Sequence, residues 1–359
     1  MEHFIGCDAH KRYSVFSCID ERGRYGSDVR VRHQAAEFRA FLESLPPGSE
    51  IAIEAGGDYY WMADAMEQAG HHPHLAHPLE AKRRCGKTVK HTDKVDARGL
   101  AMLLRNGTLP EVWIPPAELR DERALLRLRM YLSHMRTGLK NRVHGILRQY
   151  NLLLAGSDIF GAAGREELAA RLAELPPQTR RSVEEQLRLL DFLSARIEQL
   201  ERRLAGILAN SAETELLKTL PKVGPILSAV MALELGDIER FPGAPHVASY
   251  CGLVPRVHSS GGRTRLGATC GDVNRTLKWA FVEAANLIVM RQRRLAGTHA
   301  VRLYQRLQSK HGHQKAVVAV ARHLAEAAYW VLHKQEPYRE PKSAPKRLCR
   351  RDRVSAACA

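Results

Sequence analysis

Two short apolar runs, each ending in a carboxylate, limit most strongly how this chain can fold. "HFIGCDAH" carries Phe4, Ile5 and Cys7 up to Asp8, and "SEIAIEAGG" carries Ile51 and Ile53 up to Glu54 before two glycines. Both read as buried strands. "YSVFSCID", a turn at "ERGR" and "YGSDVRVRH" extend the first of them into a β-meander. "QAAEFRAFLESLP" has helical periodicity, with Phe38, Phe41, Leu42 and Leu45 on one face. "YYWMADAMEQAG" is a second helix, stopped at Gly70. "HHPHLAH" reads as another strand. "KHTDKVDARGLAML" then opens a helix that stops near Asn106-Gly107. Strands alternating with helices over about the first hundred residues predict an α/β domain.

Beyond this point helical patterning takes over. Residues 118 to 154 form one long helix in which Arg120, Arg123, Arg127, Arg129, Arg136, Lys140, Arg142 and Arg148 alternate with apolar residues. Few carboxylates balance that charge, so the helix reads as a contact for a nucleic-acid backbone. Residues 165 to 208 space their apolar positions by three and four, as an antiparallel helical pair or a dimerising coiled coil does. "LKTLPKVGPILSAVMALELGDIERF" is a helix, a tight turn and a second helix, where backbone N–H groups can meet phosphate. An ordinary αα-hairpin has the same pattern. A Gly/Ser/Arg-rich loop follows, then a helix over roughly 313 to 333 and a basic, Pro-rich tail expected to order only on a polyanion.

Lys and Arg total 55 against 39 Asp and Glu, and the pI is near 9.8. Such a charge points to a polyanionic partner. There is no apolar run of about 18 residues and no basic-then-apolar leader, so no membrane partner is expected and the bacterial cytosol or nucleoid is the expected location. The seven cysteines are scattered without a CxxC pair, as suits reduced thiols. Residues His71 to His77 have no Cys or acidic partner at ligand spacing, which favours a polar strand edge over a structural metal site.

In a chain this basic, the acidic positions are informative. Asp93 and Asp96 stand one turn apart on a helix and so share a face. Two carboxylates at strand ends facing two on a covering helix can hold a pair of divalent cations about 3.5–4 Å apart. Without metal, four clustered carboxylates would repel one another. Thr92 is available as the N-cap, which frees both aspartates to face the strands, and Lys90, Lys94 and Arg98 then read as phosphate contacts. A β-meander followed by strand and helix matches an RNase H-like, RuvC-like nuclease domain.

"GCDAHK", "IAIEAGGDYYW" and "KHTDKVDARGLAMLL" resemble the N-terminal motifs of the DEDD transposases of the insertion-sequence family numbered 110. "LPKVGPILSAVMALELGDIERF", "YCGLVPRVHSSGGRTRLG" and "VNRTLKWAFVEAAN" resemble its C-terminal domain. The likeness runs from Phe4 to about Leu332, with the motifs in family order. It implies that Asp8, Glu54, Asp93 and Asp96 bind two Mg2+ ions, with Mn2+ as substitute. It also implies that Ser260, in its Ser-Gly loop, attacks DNA phosphate to give a phosphoserine link; Ser259 is the neighbouring alternative. A homodimer or homotetramer, in which one protomer's acids work with another's serine, is implied as well, as is a non-coding guide RNA pairing with donor and target DNA. Lys222 stands where the family commonly has Gly, and Lys278 where it often has Arg.

The residues themselves suit this chemistry. A serine needs its proton removed or its oxygen coordinated before it attacks. Gly261 and Gly262 allow close backbone approach to phosphate, and Arg256, His258, Arg263 and Arg265 can clamp its charge. The cations assigned to nucleic acid are Lys11, Lys94, Arg127, Arg136, Lys140, Arg142, Arg256, Arg263, Arg265, Arg275 and Lys278. The expected architecture is a RuvC-like α/β domain over 1–112, a helical coiled-coil segment over 113–210, a mainly α domain over 211–335 and a basic tail over 336–359. Two other readings stay open: a metal-dependent structure-specific endonuclease in which Ser260 forms no covalent bond, and a non-enzymatic nucleic-acid-binding protein.

Overall fold

A computed structural model describes residues 3–86, 92–156, 158–260 and 263–341, and for residues 258, 260, 263, 264 and 266 it describes the backbone alone. The chain divides into two compact units, Met1–Pro116 and Ala117–Ala359.

The first unit is a six-stranded mixed sheet with helices. Strands β1 (His3–Ala9), β2 (Tyr13–Asp20) and β3 (Val29–Arg32) form the expected antiparallel meander. Helix α1 (Ala35–Glu43) leads to β4 (Glu50–Glu54), which pairs parallel with β1. Helix α2 (Tyr59–Gln68) leads to β5 (His72–Ala76), parallel to β4. Helices α3 (Pro78–Cys85) and α4 (Asp93–Arg105) precede the short β6 (Glu111–Val112), and the strand order is β3-β2-β1-β4-β5-β6. This order is consistent with the RNase H-like arrangement expected of the sequence.

Strand alternation sorts the two faces. Ile5, Cys7, Ile51, Ile53 and Leu75 pack with Phe38, Leu42, Met62 and Met66 of α1 and α2. Ala52 and Ala76 pack on the other face with Ala81 of α3 and Leu100, Leu103 and Leu104 of α4. Gly6 lies under α4 so closely that a Cβ there would stand 1.9 Å from the Ala97 carbonyl oxygen. The small residues Gly6, Ala52 and Ala76 thus let α4 lie close on the sheet.

The histidine-rich strand differs from expectation. β5 lies inside the sheet, between β4 and β6, rather than at its edge. Three histidines of this run are taken up locally, while His72 is exposed. His71 is buried, with Nε2 2.9 Å from the Leu42 carbonyl oxygen, and His74 lies between Glu50 and Glu111. His77 caps α3 by accepting from the Glu80 N–H.

The second unit is mainly helical. Its long helix α5 (Ala117–Gln149) packs against α7 (Pro177–Ile207), with α6 (Ala162–Arg171) between them in sequence. The three-four spacing read over 165–208 is that of α7, whose helical partner is the upstream α5. Arg129 meets Glu201 near one end, and Val143 and Leu147 cluster with Val183 near the other, so the two helices run antiparallel. The buried residues Val183, Gln186, Leu190, Leu193, Ile197, Leu200 and Leu204 follow a strict three-four spacing.

Helices α8 (Ala212–Lys218), α9 (Pro225–Leu235), α10 (Ala244–Tyr250), α11 (Arg275–Met290), α12 (His299–His311) and α13 (His313–Lys334) share one core with Leu126 of α5 and Leu204 of α7. The loop expected around Ser260 is instead a two-stranded hairpin, β7 (Pro255–Ser260) and β8 (Arg263–Thr269). Among the described residues no helix is long and apolar enough to cross a membrane.

Candidate active site

Asp8 and Glu54 occupy equivalent places on neighbouring strands. The parallel register pairs Cys7 with Ile53, so the next residue of each strand is a carboxylate. Helix α4 crosses this end of the sheet with Asp93 and Asp96 in its first turn. They continue the stripe that buries Ala97, Leu100 and Leu104, which turns them toward the sheet. Thr92 caps the helix, its Oγ1 accepting from the Val95 N–H at 3.4 Å. The aspartates are therefore not needed as caps.

The four acids act on one another electrostatically, and among the described residues Asp8 and Asp93, with His10, come within ligand distance. Burial pushes the Asp8 carboxyl up; nearby His10 pulls it down, and Asp96 and Asp93 push it up again. Burial likewise raises Glu54, with Asp8 and Asp96 adding to the shift and Lys82 opposing it. Asp93 is held below the usual carboxylate range chiefly because the Tyr13 hydroxyl donates to it, at 3.0 Å. The Arg30 guanidinium lies 3.6 Å from the Tyr13 ring centroid.

Several neighbours were not singled out from sequence. His10 Nε2 lies 3.1 Å from Asp8 Oδ2 and 3.2 Å from Asp93 Oδ2. Lys82 is exposed on α3, an unforeseen helix, and helps line a cleft of about 940 Å3 that reaches Glu54 and Asp96. Arg98, read as a phosphate contact, instead pairs with Asp28 through Nε at 3.0 Å and Nη2 at 2.9 Å. Lys11 and Lys94 are exposed, and Lys90 lies outside the described residues.

The basic helix also divides its charges differently from expectation. Arg120 and Arg123 are buried. Arg123 donates to the Leu233 and Glu234 carbonyl oxygens at 2.7 and 3.1 Å, satisfying groups at the C-terminal end of α9. Arg127 makes a two-pronged bond to the fully buried Glu234, at 2.8 and 2.9 Å. This is a structural use of a residue expected on nucleic acid. Arg129 is taken up by Glu201. Arg142 and Arg148 remain exposed, Arg136 is half-buried, and Lys140 lies over the Phe160 ring.

Glu234 also ties α9 to the start of α11. Asn274 donates to Glu234 at 2.8 Å, and its Oδ1 accepts from the Leu277 N–H to cap α11. Burial alone would raise the Glu234 carboxyl, but bonds from Arg127 and Asn274 and the nearby charges of Arg127 and Arg123 hold it low. Lys278 donates to Thr269 Oγ1 at 2.9 Å, and Arg256 to Cys270 Sγ at 3.7 Å. Arg265 and Arg275 are exposed. Ser260 ends β7 and pairs with Arg263, the first residue of β8. Gly261, Gly262 and the side chains of His258, Ser260 and Arg263 lie outside the described set.

Comparison with known proteins identifies the group to which the chain belongs. A DEDD transposase model of the IS110 type matches residues 5–152, and a model for the transposase IS116/IS110/IS902 family matches residues 214–300. The transposase for insertion sequence element IS1328 of Yersinia enterocolitica is 27% identical over 333 residues, covering 92% of this chain and 96% of its own. The transposase for insertion sequence element IS1111A of Coxiella burnetii is 26% identical over 336 residues, covering 93% and 91%. The chain belongs to the IS110 family of transposases, enzymes that cut and rejoin DNA.

Proposed function

We propose that the protein moves an insertion sequence by cutting and rejoining DNA strands, using a two-cation site at Asp8, Glu54, Asp93 and Asp96 and a serine nucleophile at Ser260. The observation that supports this reading is that four carboxylates at the ends of β1 and β4 and in the first turn of α4 lie close enough to act on one another electrostatically. The donor set fits Mg2+, with Mn2+ as substitute: it is rich in oxygen, and burial and mutual repulsion leave Asp8 and Glu54 raised. Two such ions, when bound, stabilise the attacking and leaving oxygens of an in-line displacement at phosphorus.

The remaining steps belong to the chain's own residues. Lys82, beside Glu54 on the cleft, binds a strand phosphate, and exposed Lys11 and Lys94 contact its neighbours. Ser260 Oγ gives up its proton and forms a bond to phosphorus as a P–O bond of the strand breaks, and the departing oxygen takes up a proton. Reversal by a hydroxyl of another strand rejoins the DNA and frees the serine. Arg256, Arg263, Arg265, Arg275 and Lys278 supply positive charge around this loop, and Arg136, Lys140 and Arg142 do so along α5.

A homodimer or homotetramer and a non-coding guide RNA complete the proposal. Support for self-association comes from α5 and α7, which expose Leu128, Tyr131, Met135 and Phe192. The test is covalent trapping on DNA bearing the element's ends. Wild type and Ser259→Ala are expected to give an adduct and Ser260→Ala none. Vigorous cleavage by wild type without an adduct would instead establish the endonuclease reading. RNA recovered with the purified protein tests the guide, and its absence from an active preparation would exclude one.

A further inference from the structure

We infer that His10 is a direct ligand of one of these cations, together with Asp8 and Asp93, and that this half of the site prefers Mn2+-like transition ions to Mg2+. The inference rests on the metal-site reading above and adds a nitrogen donor to it. Ligand atoms of Asp8, His10 and Asp93 all lie within 4.8 Å of one another. Neighbouring ligands of an octahedral ion at about 2.1 Å stand about 3 Å apart. The 3.1 and 3.2 Å separations from His10 Nε2 to the two carboxylate oxygens match that spacing.

A second observation concerns direction. His10 Nε2 is sealed from solvent, yet no acceptor meets hydrogen-bond geometry with it, the two nearby carboxylates included. Both carboxylate oxygens thus stand beside Nε2 without lying along its N–H direction, the placement that neighbouring ligands of one ion would take. The ring is also held in place. The His10 backbone N–H donates to the Tyr13 carbonyl oxygen at 2.9 Å, and the imidazole packs on the Tyr13 ring with centroids 4.7 Å apart. The Tyr13 hydroxyl in turn fixes Asp93. Outer contacts of this kind orient metal ligands.

The two halves of the site therefore differ in chemistry. Glu54, under the charge of Lys82, and Asp96 on the same cleft offer oxygen, whereas Asp8 and Asp93 share an imidazole. Carboxylate oxygens suit Mg2+ and Mn2+ alike, while imidazole shifts preference toward transition ions.

The experiment uses the full-length protein loaded with Mn2+ alone, read by electron spin-echo modulation and by titration of Mn2+ against Mg2+. Wild type is expected to show nitrogen coupling to Mn2+ that His10→Ala lacks. His10→Ala should weaken Mn2+ binding by about tenfold or more while changing Mg2+ binding by less than about threefold. His10→Asp, which restores an oxygen ligand, should recover binding without the nitrogen signal and with the preference moved toward Mg2+. If Mn2+ binds, Asp8→Asn abolishes it, and His10→Ala leaves both the spectrum and the ion preference unchanged, the inference is overturned and the metal site stands. If wild type binds neither ion, the metal-site reading fails and this inference with it. Unfolding temperatures of the variants identify any that have simply lost the fold.

Discussion

Replacing Gly6 by alanine tests whether the close seat of α4 on β1 is what assembles the acids. The new Cβ would stand 1.9 Å from the Ala97 carbonyl oxygen and 2.6 Å from the Ala101 nitrogen. Both are backbone atoms of α4, so no side chain can swing aside to relieve the clash. Restoring an ordinary contact of 3.4 Å requires α4 to withdraw by about 1.5 Å. Forced overpacking of this kind costs about 1–3 kcal/mol. The helix would carry Asp93 and Asp96 away from Asp8 and Glu54, and a misplacement of about 1 Å in a catalytic arrangement costs on the order of a hundredfold in rate. Gly6→Ala should therefore lose about a hundredfold in metal-dependent strand cleavage. Its N-terminal unit should still fold, but melt lower by about 4 °C or more for each kcal/mol lost. Calorimetry and a cleavage time course on the same preparation measure both quantities. An alanine variant that cleaves and melts like wild type would refute the reasoning.

Three further outcomes follow from particular contacts. Glu234→Ala removes the acceptor shared by half-exposed Arg127 and by Asn274, and should destabilise the C-terminal unit by about 1–3 kcal/mol in denaturant unfolding. Lys222 holds φ at +62°, a left-handed conformation that glycine adopts readily, so Lys222→Gly should stabilise by about 0.5–1 kcal/mol in the same assay. Asp8 has its folded pKa raised, so the stability tied to its neutral form is complete below the unfolded pKa and is lost as pH rises through the folded value. In chelator, Asp8→Asn should thus be more stable than wild type at neutral pH, and the advantage should vanish below about pH 4; equal stability at neutral pH would contradict it.

Much of the N-terminal unit was legible because its signals are local. The apolar runs ending in Asp8 and Glu54 became adjacent parallel strands, and Thr92 took the cap expected of it. Helix α3 was missed because "PLEAKRRC" buries only Ala81 and so carries almost no apolar period. The β7–β8 hairpin read as a loop because its polar, glycine-interrupted sequence lacks the alternation of a half-buried strand. The arginines of α5 were over-assigned to nucleic acid for a non-local reason: Glu234, which takes Arg127, lies 107 residues away. No periodicity marks such a partner. His10 likewise offered only a lone histidine beside an aspartate, and its place between Asp8 and Asp93 depends on how α4 seats.

The central claim, that four carboxylates form one metal-dependent strand-cutting centre, is tested most directly by a neutral-isostere series. Asp8→Asn, Glu54→Gln, Asp93→Asn and Asp96→Asn keep side-chain size and remove only charge. Strand cleavage of DNA carrying the element's ends would be measured at saturating Mg2+ or Mn2+. Each variant is expected to lose at least about a hundredfold in cleavage, comparable to losing an electrostatic stabiliser of a transition state, while still binding the DNA. Any one of the four cleaving within about threefold of wild type under both ions would contradict a shared centre.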